Sequence, residues 1–243
     1  RCIEMRPMAS RHETLEEHLI ACLQFLKSHF IDLGYASHVA YSFGIDEKEA
    51  VKALNATVIF HDYGKAAHEY QRAASQRLSF PKHEYFSASA AYKSIKETVW
   101  RDECVLAIGW HHMAMRGPSL LDDFKTWKKF GAPEKATFSA DFVETFRKIA
   151  EKTGLGDVIV NGPPQEIAMP EVCDTINHIA AKLSSHQTGT TFYRLTLKLL
   201  RPLLIVDNLA AAAKRGGVEK IFVKDLPDPE KIHRVKNVLR GLC

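Results

Sequence analysis

The chain has 243 residues, of which 46% are hydrophobic and 26% charged, a composition that excludes a mainly disordered protein and fits one large globular domain. Its net charge of +4 permits a polyanionic partner without requiring one. Because no stretch is long and apolar enough to cross a bilayer and no signal-peptide pattern occurs, we expect no membrane association and a cytoplasmic location.

The first half of the chain has the hydrophobic period of α-helices. Apolar residues recur at intervals of three and four across residues 14–27, and His18 falls inside that stripe. A second helix is expected to begin at Asp46, which together with Glu49 has the spacing of a capping box, and to end near Gly64. The first helix therefore turns a histidine towards the core.

The second predicted helix closes with the sequence FHDYGKA, in which His61, Asp62 and Lys65 share the inner stripe. The third predicted helix is rich in alanine and serine, which let a neighbouring helix come close, and His83 stands at its beginning. Two further helices thus bring polar groups to faces that should be buried.

Polar residues also mark the fourth predicted helix, which Asp102 can cap and which ends near the pair His111 and His112. Three later helices are predicted at residues 138–152, 171–185 and 192–214, the last kinked by Pro202, and a short strand is predicted at residues 221–223. The architecture is therefore expected to be mostly α. We expect a single domain over residues 1–243, with a core at about 14–215 and a tail at 216–243.

Among the polar residues at positions expected to be buried, Asp207 is the most informative, because it follows four apolar residues and precedes a leucine and four alanines. A carboxylate in such a position loses several kcal/mol of solvation unless it turns to water or meets a cation. The five cysteines are scattered and lack C-x-x-C spacing, which suits a reducing compartment and argues against a zinc–thiolate cluster.

An inward histidine is by itself more often a hydrogen-bonded core residue than a metal ligand, but the set as a whole favours a metal site. Its members are His18, His61, Asp62, His83, His111, His112 and Asp207. Imidazole and carboxylate ligands suit Mn, Fe, Co, Ni or Zn, and Mg where carboxylates and water dominate. Seven ligands can hold two ions, the arrangement that promotes phosphodiester hydrolysis, with an aspartate bridging them. Either a histidine or a bound water could then serve as the acid or base.

In this order, the residues resemble the HD metal-dependent phosphohydrolase superfamily, whose pattern is a histidine, an HD pair, further histidines and a distant aspartate. More narrowly, LEEHL, FHDYGKAAHEYQ, KHEYFSASAA, WHHMAMRG and LLIVDNLAAAA resemble the HD nuclease of type I CRISPR interference systems, which stands alone or is fused to a helicase. The resemblance implies an HD-type helical fold and metal-dependent cleavage of single-stranded DNA in the degradation of foreign DNA. Endonuclease and exonuclease action both stay open.

The resemblance also implies roles for individual residues. A first ion would be held by His18, His61, Asp62 and Asp207, and a second by Asp62, His83, His111 and His112. Lys65 would lie near the scissile phosphate, which makes His61, Asp62 and Lys65 the expected catalytic residues. The two divalent ions would be drawn from Mn, Mg, Ni, Co and Fe.

The expected partners follow from the same resemblance. No G-x-x-x-x-G-K-[ST] phosphate loop occurs in the sequence, so we expect the chain to work with a separate helicase and a CRISPR surveillance complex. Arg116, Lys125 and Lys128, near a tryptophan, are candidates for contacting single-stranded DNA, although a solvated charged turn explains this stretch equally well.

Two other functions stay open at the level of sequence. An HD-type enzyme could hydrolyse nucleotides or cyclic nucleotides, but the GYP element that would favour cyclic dinucleotides is missing after the double histidine, where the sequence reads HHMAMRGPS. A helical adaptor without activity is the second alternative. The presence of every expected ligand argues against it.

Overall fold

The computed structural model describes residues 6–73, 79–112, 131–160, 162–185 and 187–214, and over these residues the chain is mostly α-helical, as predicted. The helices are α1 (Leu15–Leu26), α2 (Tyr35–Phe43), α3 (Glu47–Phe60), α4 (His68–Ala73), α5 (His83–Ser94), α6 (Arg101–Trp110), α7 (Ala140–Lys152), α8 (Met169–Leu183) and α9 (Gly189–Lys214). The predicted strand at 221–223 and the predicted tail at 216–243 lie outside the described residues.

Helix α1 begins where the sequence indicates. Thr14 accepts a hydrogen bond from the backbone N–H of Glu17, whose carboxylate accepts one in return from the backbone N–H of Thr14, and this reciprocal cap fixes the first turn. Two short antiparallel strands, β1 (Met8–Ser10) and β2 (Glu13–Thr14), lead into the helix. His18 lies on the buried face of α1, as predicted.

Helix α3 begins at its predicted cap, Asp46, but lacks the predicted return contact from Glu49 and ends earlier than predicted. Asp46 caps it through the backbone N–H of Glu49, but the Glu49 carboxylate accepts from Lys52 at 2.7 Å and does not complete a capping box. The helix ends at Phe60, four residues before the predicted end at Gly64. The reason is that the backbone N–H of Gly64 donates to Ser87 Oγ at 2.8 Å, which draws this segment out of the α-helical hydrogen-bond pattern and into a short 3-10 turn, Tyr63–Ala66.

The predicted cap of the fourth helix was wrong. Helix α6 begins at Arg101 after Trp100, and the carboxylate of Asp102 instead accepts from His178 Nε2 at 3.0 Å and pairs with Lys182. The opposite charges draw Asp102 towards α8 rather than to its own backbone. Helices α7, α8 and α9 were predicted within about two to three residues of their ends, whereas α2, α4 and the strands were not predicted.

The core lies around α3, whose residues 52–60 are all buried. Helix α1 packs against α9, α9 against α6, and α6 against α5, while α3 contacts each of these four. A second antiparallel pair, β3 (Lys135–Thr137) and β4 (Glu166–Ala168), lies beside α4, α5 and α8. The four helices around α3 therefore all reach the point where α3 ends.

A cluster of aromatic side chains packs α7 against the segment after α3. The rings of Tyr63 and Phe146 lie 4.9 Å apart, as do those of Phe60 and Phe146, and Phe142 lies 5.2 Å from Tyr63. The hydroxyl of Tyr63 donates to the carbonyl of Pro164 at 2.7 Å. Such buried aromatic contacts hold the backbone of residues 61–66 in one position. Within the described part of the chain, no helix has the length and apolar character needed to span a membrane.

Candidate metal centre

Five helices bring the predicted ligands to one place. His18 comes from α1 and Asp207 from α9, His61 and Asp62 follow the last turn of α3, His83 opens α5, and His111 and His112 follow α6. Their ligand atoms form two groups, each within 4.8 Å: His18, His61, Asp62 and Asp207, and then Asp62, His83, His111 and His112. The structure thus brings together the two sets named from the sequence, and their role in holding ions stays a prediction.

Asp62 belongs to both groups, with one carboxylate oxygen facing each. Its Oδ2 lies 3.5 Å from His18 Nε2 and 3.4 Å from His61 Nε2. Its Oδ1 lies 3.0 Å from His83 Nε2 and 3.7 Å from His111 Nε2. This is the geometry that a carboxylate needs to bridge two cations.

The backbone fixes the orientation of three of the histidine rings. In His61, His83 and His111, Nδ1 lies 2.6, 2.7 and 2.6 Å from the carbonyl oxygen three residues earlier in the chain. Since a carbonyl only accepts, each Nδ1 carries the proton and donates it. The second nitrogen, Nε2, is thereby directed into the centre, as is usual for histidines that ligate metals.

His18 is oriented by a carboxylate instead of a carbonyl. Its Nδ1 lies 3.2 Å from Glu13 Oε2, and both side chains are buried. Sequence analysis missed Glu13, because a single glutamate before a helix carries no pattern that distinguishes it from Glu16 or Glu17. A carboxylate behind a metal-binding histidine raises the basicity of the ring and holds it in place.

Two nitrogen atoms test whether these residues fit a metal. His61 Nε2 and His111 Nε2 are buried and, among the described residues, have no hydrogen-bond partner. A buried polar atom without a partner is rare and costs about 1 to 3 kcal/mol, and a bond to a metal ion is one way to satisfy it. Nitrogen and carboxylate donors that converge in this way fit divalent transition metals.

The two groups differ in charge. Burial lowers the pKa of His61, but the carboxylates of Asp62 and Asp207 outweigh it and raise the pKa to about 10. The pKa of His18 is likewise raised well above its usual value, since Cys22 and Asp207 outweigh burial. The first group thus holds protons where an ion would lie.

The second group differs, because two of its imidazoles, those of His83 and His112, are neutral. Burial lowers the pKa of His83 and of His112, and for His112 the neighbouring rings lower it further. Burial would raise the pKa of Asp62, but His61 and Lys65 hold it well below its usual value, so this carboxylate is ionised. Neutral imidazoles beside an ionised carboxylate can accept a cation without first losing a proton.

Lys65 contacts Asp62 and also lines a cavity next to the ligand groups. Its Nζ lies 2.6 Å from Asp62 Oδ2, and its side chain is 14% exposed. A cavity of about 580 Å³ opens beside it, and its lining includes Lys65, His83 and His112 as well as Arg11 and His12 from the turn between β1 and β2. Arg11 and His12 were also missed from the sequence, which gives no sign that this turn lies over the histidines.

The predicted contacts to single-stranded DNA have no structural account, because Arg116, Lys125 and Lys128 lie outside the described residues.

The chain is similar to two known proteins, although no family model matches it. It is 27% identical over 228 residues to the CRISPR-associated endonuclease Cas3-HD of Pyrococcus furiosus, an alignment that covers 87% of this chain and 94% of the relative. Its fold matches that of the CRISPR-associated Cas3 HD domain protein from Methanocaldococcus jannaschii with a TM-score of 0.59 at 19% identity, over 82% of this chain and 99% of the other. The HD-type fold and the resemblance to the HD nuclease of CRISPR systems are thereby confirmed.

Proposed function

We propose that the chain is a metal-dependent nuclease that hydrolyses phosphodiester bonds of single-stranded DNA, together with a separate helicase and a CRISPR surveillance complex, in the degradation of foreign DNA. The observation that carries the proposal is the pair of ligand groups that share Asp62. The similarity to a CRISPR-associated endonuclease supports the biological setting. Residues 1–243 contain no phosphate loop, so the helicase activity would be supplied from outside them.

Each of the two ions would be held by its own set of residues, and one residue would be shared. His18, His61 and Asp207 would hold one ion, His83, His111 and His112 the other, and Asp62 both. When bound, two divalent ions supply charge stabilisation for the attacking and leaving oxygens and make a water more acidic. The Nδ1 contacts of His61, His83 and His111 keep the ligand nitrogens in place, so that little reorganisation is needed during the reaction.

The cavity beside Lys65 supports the choice of a polyanionic strand. Lys65 and Arg11 both line this cavity. The Lys65 ammonium would contact a phosphate as a point charge, and the Arg11 guanidinium would bind one through two parallel hydrogen bonds. Because the ligands are buried, the scissile phosphate must enter a recess. A flexible single strand can turn a phosphate inward, whereas a duplex is stiff over this length.

Cleavage assays test the proposal. Internally labelled single-stranded DNA, the matching duplex and single-stranded RNA are incubated with the purified chain and Mn, Mg, Ni, Co or Fe ions. We expect metal-dependent cleavage of the single-stranded DNA. Asp62→Asn should reduce it by about a hundredfold or more, because several kcal/mol of charge stabilisation are lost with the ions.

Asp32→Asn is the matched control, since Asp32 is an exposed aspartate paired with Lys27 and should leave cleavage unchanged. Equal activity of the Asp62 variant and the native chain would contradict the proposal. Nucleotides and cyclic dinucleotides are assayed in parallel, and their hydrolysis without DNA cleavage would assign the centre to small substrates instead.

A further inference from the structure

A free cysteine borders the first ligand group. Cys22 lies one helical turn after His18 on α1 and is fully buried. Its Sγ is 3.6 Å from His18 Nε2 and 3.8 Å from the carbonyl oxygen of Val206, the residue before Asp207. The thiol therefore belongs to the wall of the metal centre and not to a remote part of the core.

The surrounding atoms have the spacing of a mixed sulfur and nitrogen site. The ligand atoms of His18, Cys22 and His61 lie within 4.8 Å of one another, and all three side chains are buried. His61 Nε2 is one of the buried nitrogens that lack a hydrogen-bond partner in the described structure, so a ligand atom already faces this space.

The distances also fit tetrahedral coordination. Sulfur at about 2.3 Å and nitrogen at about 2.0 Å from a tetrahedral Zn²⁺ are roughly 3.5 Å apart. The separation of Cys22 Sγ from His18 Nε2 is 3.6 Å. The three side chains leave the fourth position of such an ion for a water molecule.

We propose that His18, Cys22 and His61 form a binding site for a thiophilic divalent cation, of which Zn²⁺ is the main case. On binding, the thiol and the two imidazole rings release to solvent the protons on their ligand atoms, and the sulfur and the two nitrogens form bonds to the ion. A thiolate favours Zn²⁺ over Mn²⁺ and Mg²⁺, which prefer oxygen.

The site overlaps the first of the two ion positions, because His18 and His61 belong to both. An ion held by Cys22 occupies these two ligands, so the first position can no longer use them together with Asp62. Zn²⁺ then competes with the ions that support hydrolysis and inhibits cleavage. This effect on cleavage rests on the proposed function, whereas the ion site itself rests only on the cluster.

Cobalt spectroscopy tests the ion site directly. The probe protein carries serine at Cys2, Cys104, Cys173 and Cys243, so that Cys22 is its single thiol. Addition of one equivalent of Co²⁺ should produce a sulfur-to-cobalt charge-transfer band in the near ultraviolet and the strong visible bands of tetrahedral cobalt. Cys22→Ser in the same background should abolish the charge-transfer band. Absence of the band before that change, or its survival afterwards, would overturn the proposal.

Affinity measurements give the second comparison. In the native chain, Cys22→Ser should weaken Zn²⁺ binding by about tenfold or more, because even the loss of a residue that only supports a metal ligand lowers metal affinity by at least this factor. Mn²⁺ binding should weaken by much less. Cys104→Ser is the matched control. Cys104 is equally buried, but its sulfur accepts a hydrogen bond from the Thr57 hydroxyl at 3.3 Å, and it belongs to none of the groups of ligand atoms among the described residues. Equal Zn²⁺ affinity in the Cys22 variant and in the native chain would contradict the site.

A measurement without any change at position 22 covers the case in which Cys22→Ser fails to fold. X-ray absorption at the zinc edge of the single-thiol protein should detect one sulfur at about 2.3 Å. A shell of nitrogen and oxygen alone would overturn the proposal. Zinc bound through sulfur in a chain that cleaves no DNA with any metal would refute the nuclease function and leave this site standing.

Discussion

At the scale of single residues, the protons on the first ligand group have a measurable consequence. With a pKa of about 10, His61 is protonated at neutral pH before an ion binds, yet only its neutral form can be a ligand. We therefore expect Mn²⁺ binding to release protons and its apparent affinity to rise with pH between about 6 and 8. Calorimetry in buffers of different ionisation enthalpy measures the release. Binding with no proton release and no pH dependence would contradict the charge state of this group.

Glu13 has a testable role as a positioning residue. Because its carboxylate holds Nδ1 of His18, Glu13→Ala should weaken binding at the first ion position by about 10- to 100-fold. Mn²⁺ titration followed by calorimetry measures the affinity, and Glu13→Gln, which retains a hydrogen-bond acceptor, should recover part of it. Glu16→Ala, a nearby carboxylate at the start of α1, is the control and should leave the affinity within about twofold of the native value. An equal loss in Glu13→Ala and Glu16→Ala would assign Glu13 a general structural role.

The candidate ligands were predictable from the sequence, whereas the residues that position them were not. His18, Asp62 and Asp207 stood out because a charged or polar group interrupts an apolar stripe, and burial makes such an interruption costly. Glu13 and Cys22 gave no comparable signal, since their importance depends on tertiary distances. Cys22 could have been noticed from its spacing of four residues from His18, which places both on one helix face.

At the scale of elements, Gly64 decides how closely α5 approaches the segment that carries Asp62. A Cβ atom at this position would lie 2.3 Å from the carbonyl oxygen of His83 and 3.1 Å from Phe86 Cβ. Gly64→Ala should therefore push α5 away and displace His83, with destabilisation of about 1 to 3 kcal/mol and weaker ion binding. Urea unfolding and Mn²⁺ titration measure the two effects.

Gly109 is the matched control for Gly64. It lies within α6, and a Cβ atom there would meet only Ala88 Cβ at an ordinary 3.8 Å. Because alanine favours a helix interior over glycine by about 1 kcal/mol, Gly109→Ala should leave stability unchanged or raise it. A similar loss of stability in both variants would mean that the close approach at Gly64 is not the cause.

The helices themselves were predictable from the 3.6-residue period, and most of their ends were not. The apolar stripe after Asp46 continues through His61 and Asp62, so the sequence alone favours a helix up to Gly64. The early end at Phe60 depends on Ser87, which lies more than twenty residues away along the chain and accepts a hydrogen bond from the backbone N–H of Gly64. Local propensity cannot anticipate a hydrogen bond of this range.

At the scale of the whole molecule, the centre ties together α1, α3, α5, α6 and α9, so bound ions should stabilise the entire fold. An ion present at about a hundred times its dissociation constant contributes about 2.7 kcal/mol. For a chain of this length, removal of metal by EDTA should lower Tm by about 5 to 10 °C.

Differential scanning calorimetry measures that shift, and readdition of Mn²⁺ should reverse it. The Asp62→Asn protein serves as the control, because it should show little change in Tm with EDTA. An unchanged Tm in the native chain would indicate that no ion had been bound.

The position of Asp62 between the two ligand groups has one more consequence, for the concentration of metal at which the protein works. Two dications about 4 Å apart repel each other even when one carboxylate lies between them, so the second binds more weakly than the first. The weaker position would then fill only after the stronger one. A reaction that needs both ions would follow the affinity of the weaker position, so half-maximal activity would require more metal than half-maximal binding of the first ion.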